Sequence, residues 1–282
     1  MKAIDVHCHL ATAQWACSMQ PYNDAMREYY RTEPKIISEA EMAAELVAAN
    51  VKAMIIAWDT ESADGCPRTP NEYVAKLAKD HPEAFIGSWA MIDPWRGEMA
   101  IAELERCIGE LGMSGLKCHP ICQKFWPNDR RFYPLWERCQ ELGVPVQFHT
   151  GTTGVGAGMK GGMGVQIKYG NPMALDDVAA EFPDLTIIGC HVSWPWQSEM
   201  IAVLLHKANV FLELSGWSPK YFPDELKREI RSRLHPKCMF GSDYPVLSHE
   251  RLFRDYAHLN LSDRQLEDIW VNNAVRILGL RI

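Results

Sequence analysis

Short apolar runs alternate with amphipathic stretches from one end of the chain to the other. Several of these runs are apolar at nearly every position, which is typical of strands that are covered on both faces in a parallel sheet. The pattern predicts eight strands, at residues 3–7, 51–57, 84–91, 114–118, 144–149, 185–191, 210–214 and 237–241.

Helical patterns fill the intervals between these strands. Ser38 stands three residues before Glu41, which is the spacing of a capping box, and Pro70 follows Thr69 at a suitable first helical position. The predicted helices cover residues 38–49, 70–80, 98–110, 131–142, 172–181, 197–206 and 223–233, with a helical tail from residue 249.

A strand followed by a helix, repeated eight times, fits a closed (β/α)8 barrel or a large doubly wound sheet. No glycine-rich dinucleotide fingerprint follows the first strand, which favours the barrel. The sequence also contains no linker, low-complexity tract or internal repeat. We therefore predict an α/β fold, a (β/α)8 TIM barrel, formed by a single domain over residues 1–282.

Two connections are longer than the rest. Residues 10–37 follow the first strand and residues 150–171 follow the fifth, so both leave the carboxyl ends of strands, where barrel enzymes keep their active sites. The second connection holds seven glycines between Gly151 and Gly164. It is predicted either as a flexible surface loop or as a backbone segment that closes over a ligand.

Composition excludes several classes of protein. The chain has 29 lysines and arginines against 36 aspartates and glutamates, a formal net charge of −7, which argues against nucleic-acid binding. No apolar stretch is long enough to span a membrane, and Asp5 interrupts the region where a signal peptide is apolar. The nine cysteines lack a framework spacing and indicate reduced thiols. We predict a cytoplasmic protein without a nucleic-acid or membrane partner.

The most informative motif is the run Asp5-Val6-His7-Cys8-His9 at the end of the first strand. Side chains two apart on a strand point the same way, so His7 and His9 are expected to face the barrel mouth together. Two adjacent imidazoles can bind a divalent metal, although so short a pattern also arises by chance. The same alternation turns Cys8 away from the mouth and gives Asp5 the orientation of His7, deeper in the barrel.

Three later strands also end on residues that bind metals or transfer protons. His149 ends strand five, and Asp243 follows strand eight. His191 ends strand six, where alternation turns its neighbour Cys190 away from the pocket. Because barrel closure brings strands one and eight together, Asp243 is expected near His7.

These pieces resemble a barrel of the amidohydrolase superfamily, in the amidohydrolase-related (amidohydrolase 2) branch that includes aminocarboxymuconate-semialdehyde and γ-resorcylate decarboxylases. The resemblance extends over nearly the whole chain, with its motifs in the expected order. The matching segments are DVHCHL at 5–10, GLKCHP at 115–120, LGVPVQFHTG at 142–151, FPDLTIIGCHVSWPW at 182–196 and GSDYP at 241–245.

The resemblance implies one divalent metal ion, zinc or alternatively manganese. It implies that the ligands are His7, His9, His149 and Asp243. His191 would stand beside the metal as an acid–base or water-orienting residue. A positively charged metal site lowers the pKa of a bound water, and Asp243 would then take the proton of that water and return it to the leaving group.

Lys117 lies at the end of the fourth strand, where some members of the superfamily bridge two metals with a carboxylated lysine. Three interpretations stay open for it. It is such a bridge, a cation facing the pocket that pairs with a substrate carboxylate or enolate, or a lysine whose amine reaches solvent beneath the next helix. The second is preferred.

Tryptophans follow several predicted strand ends and either stack on a flat substrate or brace the loops. Trp194 and Trp217 are the residues expected to bind substrate together with Lys117. As a group they favour an aromatic or extended planar small molecule over a peptide or a sugar.

The parts predict a metal-dependent hydrolase of a carbonyl-containing small organic acid or acyl thioester. The segments FHTGTTGVGAGM and SGWSPKYFP are similar to 4-hydroxyphenyl-β-ketoacyl-CoA hydrolases, which implies hydrolytic cleavage of a carbon–carbon bond in a CoA thioester. The alternative is a non-oxidative decarboxylase of an aromatic or muconate-type acid. A scaffold without catalysis is disfavoured, because every ligand position holds a suitable residue. A homodimer is expected, as is common for such barrels.

Overall fold

Eight parallel strands lie side by side in chain order, and each is hydrogen-bonded to the next. They belong to a computed structural model that describes residues 1–20 and 22–282. Each strand begins and ends within two residues of its predicted bounds. The strands are β1 (Ala3–Cys8), β2 (Val51–Ile56), β3 (Phe85–Met91), β4 (Gly115–Cys118), β5 (Val146–His149), β6 (Ile187–Cys190), β7 (Val210–Glu213) and β8 (Cys238–Met239).

The sheet closes where the last strand meets the first. The amide of Val6 donates to the carbonyl of Phe240 at 3.0 Å, and the amide of Asp243 donates to the carbonyl of His7 at 2.9 Å. Cys8 and Tyr244 form a further parallel bridge. The chain is therefore a (β/α)8 TIM barrel, which confirms the predicted fold class.

Most of the helices follow the strands and pack against the outer face of the barrel. Ser38 and Glu41 form the predicted capping box at the start of the helix before β2. The α-helices are α1 (Ala13–Ser18), α2 (Tyr22–Tyr30), α3 (Glu39–Ala48), α4 (Glu61–Asp64), α5 (Asn71–Asp80), α6 (Glu98–Gly109), α7 (Pro120–Gln123), α8 (Tyr133–Glu141), α9 (Met173–Glu181), α10 (Gln197–His206), α11 (Asp224–Glu229), α12 (His249–Asp255), α13 (Asp263–Glu267) and α14 (Asn273–Leu278).

Shorter helical turns complete the connections. Single π-helical turns at Ile230–Leu234 and Asp268–Asn272 extend α11 and α13. Within the described ranges 1–20 and 22–282, no helix combines the length and the apolar character that a membrane crossing needs. The 3-10 turns are Pro94–Arg96, Arg130–Phe132, Lys160–Gly164, Ile167–Gly170, Pro219–Tyr221, His235–Lys237 and Tyr256–Leu259.

The two long connections differ from each other. Residues 10–37, predicted as a loop, contain the helices α1 and α2, and Pro21 between them lies outside the described residues. The connection is partly helical because buried residues such as Tyr22 and Ala25 lie on one face of α2. Residues 150–171 carry no α-helix and contain two of the 3-10 turns.

Two apolar cores support the barrel. The inner one fills the barrel below its mouth, where the indole N–H of Trp89 donates to the carbonyl of Val6 at 2.9 Å. The larger one lies between the sheet and the surrounding helices. Because these two cores are apolar, the polar side chains gather at the carboxyl ends of the strands. The inner core consists of Ile4, Val6, Met54, Ile56, Trp89, Ile188, Met239 and Ala274.

We predict that Gly115→Ala destabilises the barrel. A Cβ at this position in β4 would lie 2.6 Å from the carbonyl oxygen of Pro145 and 2.7 Å from the ring of Trp89, so backbone and core must shift. The expected loss is about 1–3 kcal/mol, measured as a lower midpoint of urea unfolding.

Gly109→Ala is the matched control, because a Cβ at the end of α6 meets no atom within 4 Å. It should leave the midpoint unchanged or raise it slightly, since glycine is a poor helix former. Equal midpoints for both variants would contradict the close packing at Gly115.

Candidate metal centre

Three side chains converge at the mouth of the barrel, where β1 and β8 end. His7 Nε2 and His9 Nε2 lie 3.2 Å apart, and Asp243 Oδ1 lies 3.4 Å from the first and 3.3 Å from the second. Donors bound to one tetrahedral ion at about 2.0–2.1 Å are separated by about 3.3 Å. We call these three residues the ligand triangle. Its dimensions and its nitrogen and oxygen donors fit a divalent metal ion.

The backbone around the triangle is irregular. The pairing between β1 and β2 shifts register between Asp5 and Cys8, so the strict alternation of side chains is interrupted just before His7. Asp243 has a φ of +62°, in the left-handed region that aspartate tolerates better than most residues. Strand closure fixes the third donor, because the amide of Asp243 bonds to the carbonyl of His7.

His149, the fourth predicted ligand, lies near the triangle without joining it. Its Nε2 is 2.9 Å from the carbonyl oxygen of Thr152, and its ring stacks on His119 with centroids 4.0 Å apart. The ring centroid of His191 is 4.8 Å away. The structure therefore brings together three of the four predicted ligands, and the role of His149 stays a prediction.

His191 is held by a chain of hydrogen bonds that starts on β7. Ser215 Oγ donates to Glu213 Oε1 at 2.8 Å, so it accepts from His191 Nδ1, which lies 2.5 Å away. This fixes the proton of the ring on Nδ1 and leaves the lone pair of Nε2 free. Gly216 allows the close packing, because a Cβ there would lie 2.7 Å from His191 Nδ1.

Glu213, the last residue of β7, is fully buried close to the ligand triangle. Its Oε1 also lies 3.1 Å from His7 Nδ1, which is close enough for an ion pair with a protonated ring. Burial and Lys117 lower the pKa of His7, but Glu213, Cys190 and Asp243 raise it well above its ordinary value overall, so the metal-free ring is protonated and a metal ion would displace the proton of Nε2. In the sequence, the position of Glu213 at the end of a predicted strand, two residues before Ser215, is the feature that could have identified it as a site residue.

Burial and neighbouring charges together set the protonation of His149, His191 and Asp243. It lowers the pKa of His149 to about 3, with the charge of Lys117 as the second cause. It also holds the pKa of His191 well below its ordinary value. Burial opposes the ionisation of Asp243, but His191 and hydrogen bonds from the two β1 histidines keep its pKa well below the usual range. Neutral imidazoles and an ionised carboxylate are the forms that bind metals.

Lys117 lies inside the barrel and is almost fully buried, so the interpretation in which its amine reaches solvent is wrong. Its Nζ contacts Cys190 Sγ at 2.5 Å, and Cys190 belongs to a second group of donor atoms with His7 and Glu213. The expectation that Cys190 faces away from the pocket is therefore also wrong. Strand β6 ends at Cys190, so alternation along the strand does not fix the direction of His191.

The two remaining orientation predictions on β1 differ in outcome. Cys8 packs in the outer core, as expected. Asp5 does not share the direction of His7, because the register shift lies between them. Its carboxylate instead bonds to Ser242 and His249 outside the inner core.

The two tryptophans predicted to bind substrate form a pair. The ring centroids of Trp194 and Trp217 are 5.8 Å apart, and 44% of Trp194 is exposed. Trp217 follows Gly216, which packs on the ring of His191, and Trp194 lies three residues after His191. Trp194 therefore lies on the segment that contains His191, and Trp217 lies on the segment that packs against the His191 ring.

The two long connections meet beside the mouth. The glycine-rich segment 151–164 packs against the tyrosines at the end of α2, since a Cβ on Gly158 would lie 2.2 Å from the ring of Tyr29. A Cβ on Gly154 would lie 3.1 Å from the hydroxyl of Tyr30. Burial raises the pKa of the Tyr30 hydroxyl, and the charges of Tyr29 and Asp243 raise it further.

Known proteins match the chain in both sequence and structure. The profile of a family described as amidohydrolase matches residues 4–280. A γ-resorcylate decarboxylase from a Polaromonas species is 28% identical over 123 residues, which cover 41% of this chain and 37% of that protein. The match thus spans little more than a third of that relative's length.

Solved structures show the same fold over the whole chain. An uncharacterised TIM-barrel protein from Bordetella bronchiseptica has a TM-score of 0.80 at 24% identity, covering 99% of both chains. A dihydroxybenzoic acid decarboxylase from Polaromonas, crystallised with manganese and the inhibitor 2-nitroresorcinol, has a TM-score of 0.70 at 18% identity. That comparison covers 98% of this chain and 96% of the decarboxylase.

We predict that Gly158→Ala displaces the glycine-rich segment from α2. Both the collision with Tyr29 and the φ of +75° oppose a side chain at this position. The expected result is several-fold faster tryptic cleavage after Lys160 in limited proteolysis of the folded protein.

Gly164→Ala is the control, because its φ of +79° imposes similar backbone strain while a Cβ there meets no atom within 4 Å. Cleavage in this variant should stay closer to the wild-type rate. Indistinguishable rates in the two variants would mean that the contact with Tyr29 does not hold the segment.

Proposed function

The chain belongs to the amidohydrolase family, and from this membership we propose that it is a metal-dependent enzyme that breaks a carbon–carbon bond in a small, planar organic acid. Non-oxidative decarboxylation is the reaction that the two relatives described above favour, because a γ-resorcylate decarboxylase matches part of the chain and a dihydroxybenzoic acid decarboxylase shares its fold. The ligand triangle is the observation that carries the proposal, since three facing donors at 3.2–3.4 Å form a site for one cation.

We propose His7, His9 and Asp243 as ligands, with His149 as the fourth. His149 would have to exchange the carbonyl of Thr152 for the metal, and its low pKa keeps its ring in the neutral form that a ligand needs. A set of three imidazoles and one carboxylate suits zinc better than harder cations, with manganese as the alternative. The bound ion supplies a positive charge that polarises a substrate oxygen.

His191 is the residue proposed to move the proton. Its Nδ1 is fixed by Ser215, so Nε2 is the atom available to substrate. In decarboxylation the bond between the ring carbon and the carboxylate breaks, and its electron pair stays on the ring carbon. Nε2, which first takes the proton of a substrate hydroxyl, then delivers it to the carbon as carbon dioxide leaves, and the phenolate product regains a proton from water.

Substrate binding is assigned to a buried cation and an aromatic pair. Lys117 places a positive charge within the barrel beneath the mouth, which attracts a carboxylate or an enolate. Trp194 and Trp217 form an aromatic pair on the segments that follow His191 and Gly216, and a planar substrate can stack on such ring faces. These roles rest on position and chemistry.

Hydrolysis is the second candidate. Asp243 Oδ1 contacts both histidines of the triangle and is the base that a water molecule at the metal would meet. With a β-ketoacyl CoA thioester, water would add to the keto carbon, the bond to the α-carbon would break, and that carbon would take the proton. The shared residues serve both reactions, so the substrate decides between them.

We predict that single replacements separate metal binding from chemistry. His7→Ala, His149→Ala and Asp243→Ala should each lower the bound metal measured by elemental analysis of purified protein. His191→Ala should keep wild-type metal and lose about 100-fold or more in turnover, as expected for a lost proton-transfer residue. Full metal content in the first three variants would contradict the ligand assignment.

A substrate assay distinguishes the two reactions. The metal-loaded enzyme is incubated with dihydroxybenzoic acids and, separately, with aryl β-ketoacyl-CoA thioesters, and the release of carbon dioxide and of a shortened acyl-CoA is followed. We expect carbon dioxide from an aromatic acid, and its loss on removal of the metal with a chelator. Turnover of the thioester alone would select hydrolysis.

A further inference from the structure

A buried carboxylate joins the two chain segments that carry the ligand triangle. Asp5 is fully buried, and each of its oxygens accepts two hydrogen bonds. Oδ1 accepts from the backbone amides of His7 at 3.1 Å and Ser242 at 3.0 Å. Oδ2 accepts from Ser242 Oγ at 2.5 Å and His249 Nε2 at 2.8 Å. Four donors occupy the roughly four lone-pair positions of the carboxylate.

The first segment needs this carboxylate because of its irregular backbone. The register shift between Asp5 and Cys8 takes the amide of His7 out of the ladder with β2. A buried amide without a partner is costly, and Asp5 supplies the acceptor from two residues away. The bond fixes the direction in which His7 leaves the strand.

The second segment is held by the same group. Ser242 directly precedes Asp243, and both its amide and its hydroxyl bond to Asp5. The hydroxyl also accepts the amide of Tyr244 at 2.8 Å, so the residues on both sides of Asp243 are tied to this network. The left-handed φ of Asp243 is thereby held between two anchored neighbours.

His249 is the donor of the network that comes from a helix. It is the first residue of α12, is buried, and lies against the rings of Tyr244 and Phe240. These contacts orient its imidazole so that Nε2 points at Asp5. The helix thus contributes a hydrogen bond to the carboxylate that anchors both segments.

We infer that Asp5 and His249 are positioning residues that hold His7 and Asp243 at ligand distance. This inference rests on the proposed metal-dependent function. Removal of the His249 donor leaves one lone pair of a buried carboxylate without a partner, so Asp5 is held less firmly in the position from which it anchors both segments. Outer partners of metal ligands contribute about 10- to 100-fold to metal affinity, which is the expected size of the effect.

The experiment compares His249→Leu with His249→Gln. The leucine keeps the bulk and removes the donor, whereas the glutamine amide restores an N–H near the position of Nε2. Zinc affinity is measured by competition with a chelating dye, and thermal unfolding of the metal-free proteins is measured in parallel. We expect His249→Leu to bind zinc 10- to 100-fold more weakly, and His249→Gln to recover most of the affinity.

Two further proteins complete the design. His81→Leu is the control, because His81 lies before β3 at the opposite end of the barrel, and its zinc affinity should equal that of wild type. If His249→Leu does not fold, Ser242→Ala removes another donor to Asp5 and should weaken zinc binding in the same range.

The outcomes are distinct. Wild-type zinc affinity in His249→Leu, or in Ser242→Ala, would overturn the inference, as would equal weakening by leucine and glutamine. A shift in thermal unfolding with unchanged zinc affinity would also overturn it, since that result is the signature of a merely structural role. A wild-type protein that binds no metal would overturn the proposed function itself.

Discussion

The hydrogen-bonded junction between β8 and β1 is the constraint on which the rest of the site depends. The triangle takes two donors from the first strand and one from the segment after the last, so it exists only because the barrel closes. The bond from the amide of Asp243 to the carbonyl of His7 places the third donor within 3.4 Å of the first. A shift of one residue at this junction would turn the carboxylate away and leave two imidazoles without a partner.

Much of this arrangement could be predicted from the sequence. Eight apolar runs fixed the strands within two residues, because buried parallel strands show little polar interruption. Because strands one and eight are neighbours in a closed barrel, the sequence alone then predicted that Asp243 lies close to His7 and His9. His149 shows the limit of this reasoning: its strand end puts it near the site, but the direction of its ring depends on the carbonyl of Thr152.

The side-chain directions that were predicted wrongly have physical causes that the alternation of residues along a strand does not show. Asp5 was assigned the direction of His7, but a register shift lies between them. Cys190 was assigned to the outside because His191 was taken as part of the strand, which ends one residue earlier. The contributions of Glu213 and His249 depend on contacts between residues far apart in the chain.

The division of the donors between the two ends of the fold also has a consequence in time. Domains emerge from synthesis with their N-terminal part first. A nascent chain that has completed seven strands presents the histidine pair and the buried lysine, but the carboxylate that completes the triangle follows β8. For the proposed metal centre, capture of the cation by all three donors and closure of the barrel would therefore be one event, so the supply of metal would act on the last stage of assembly.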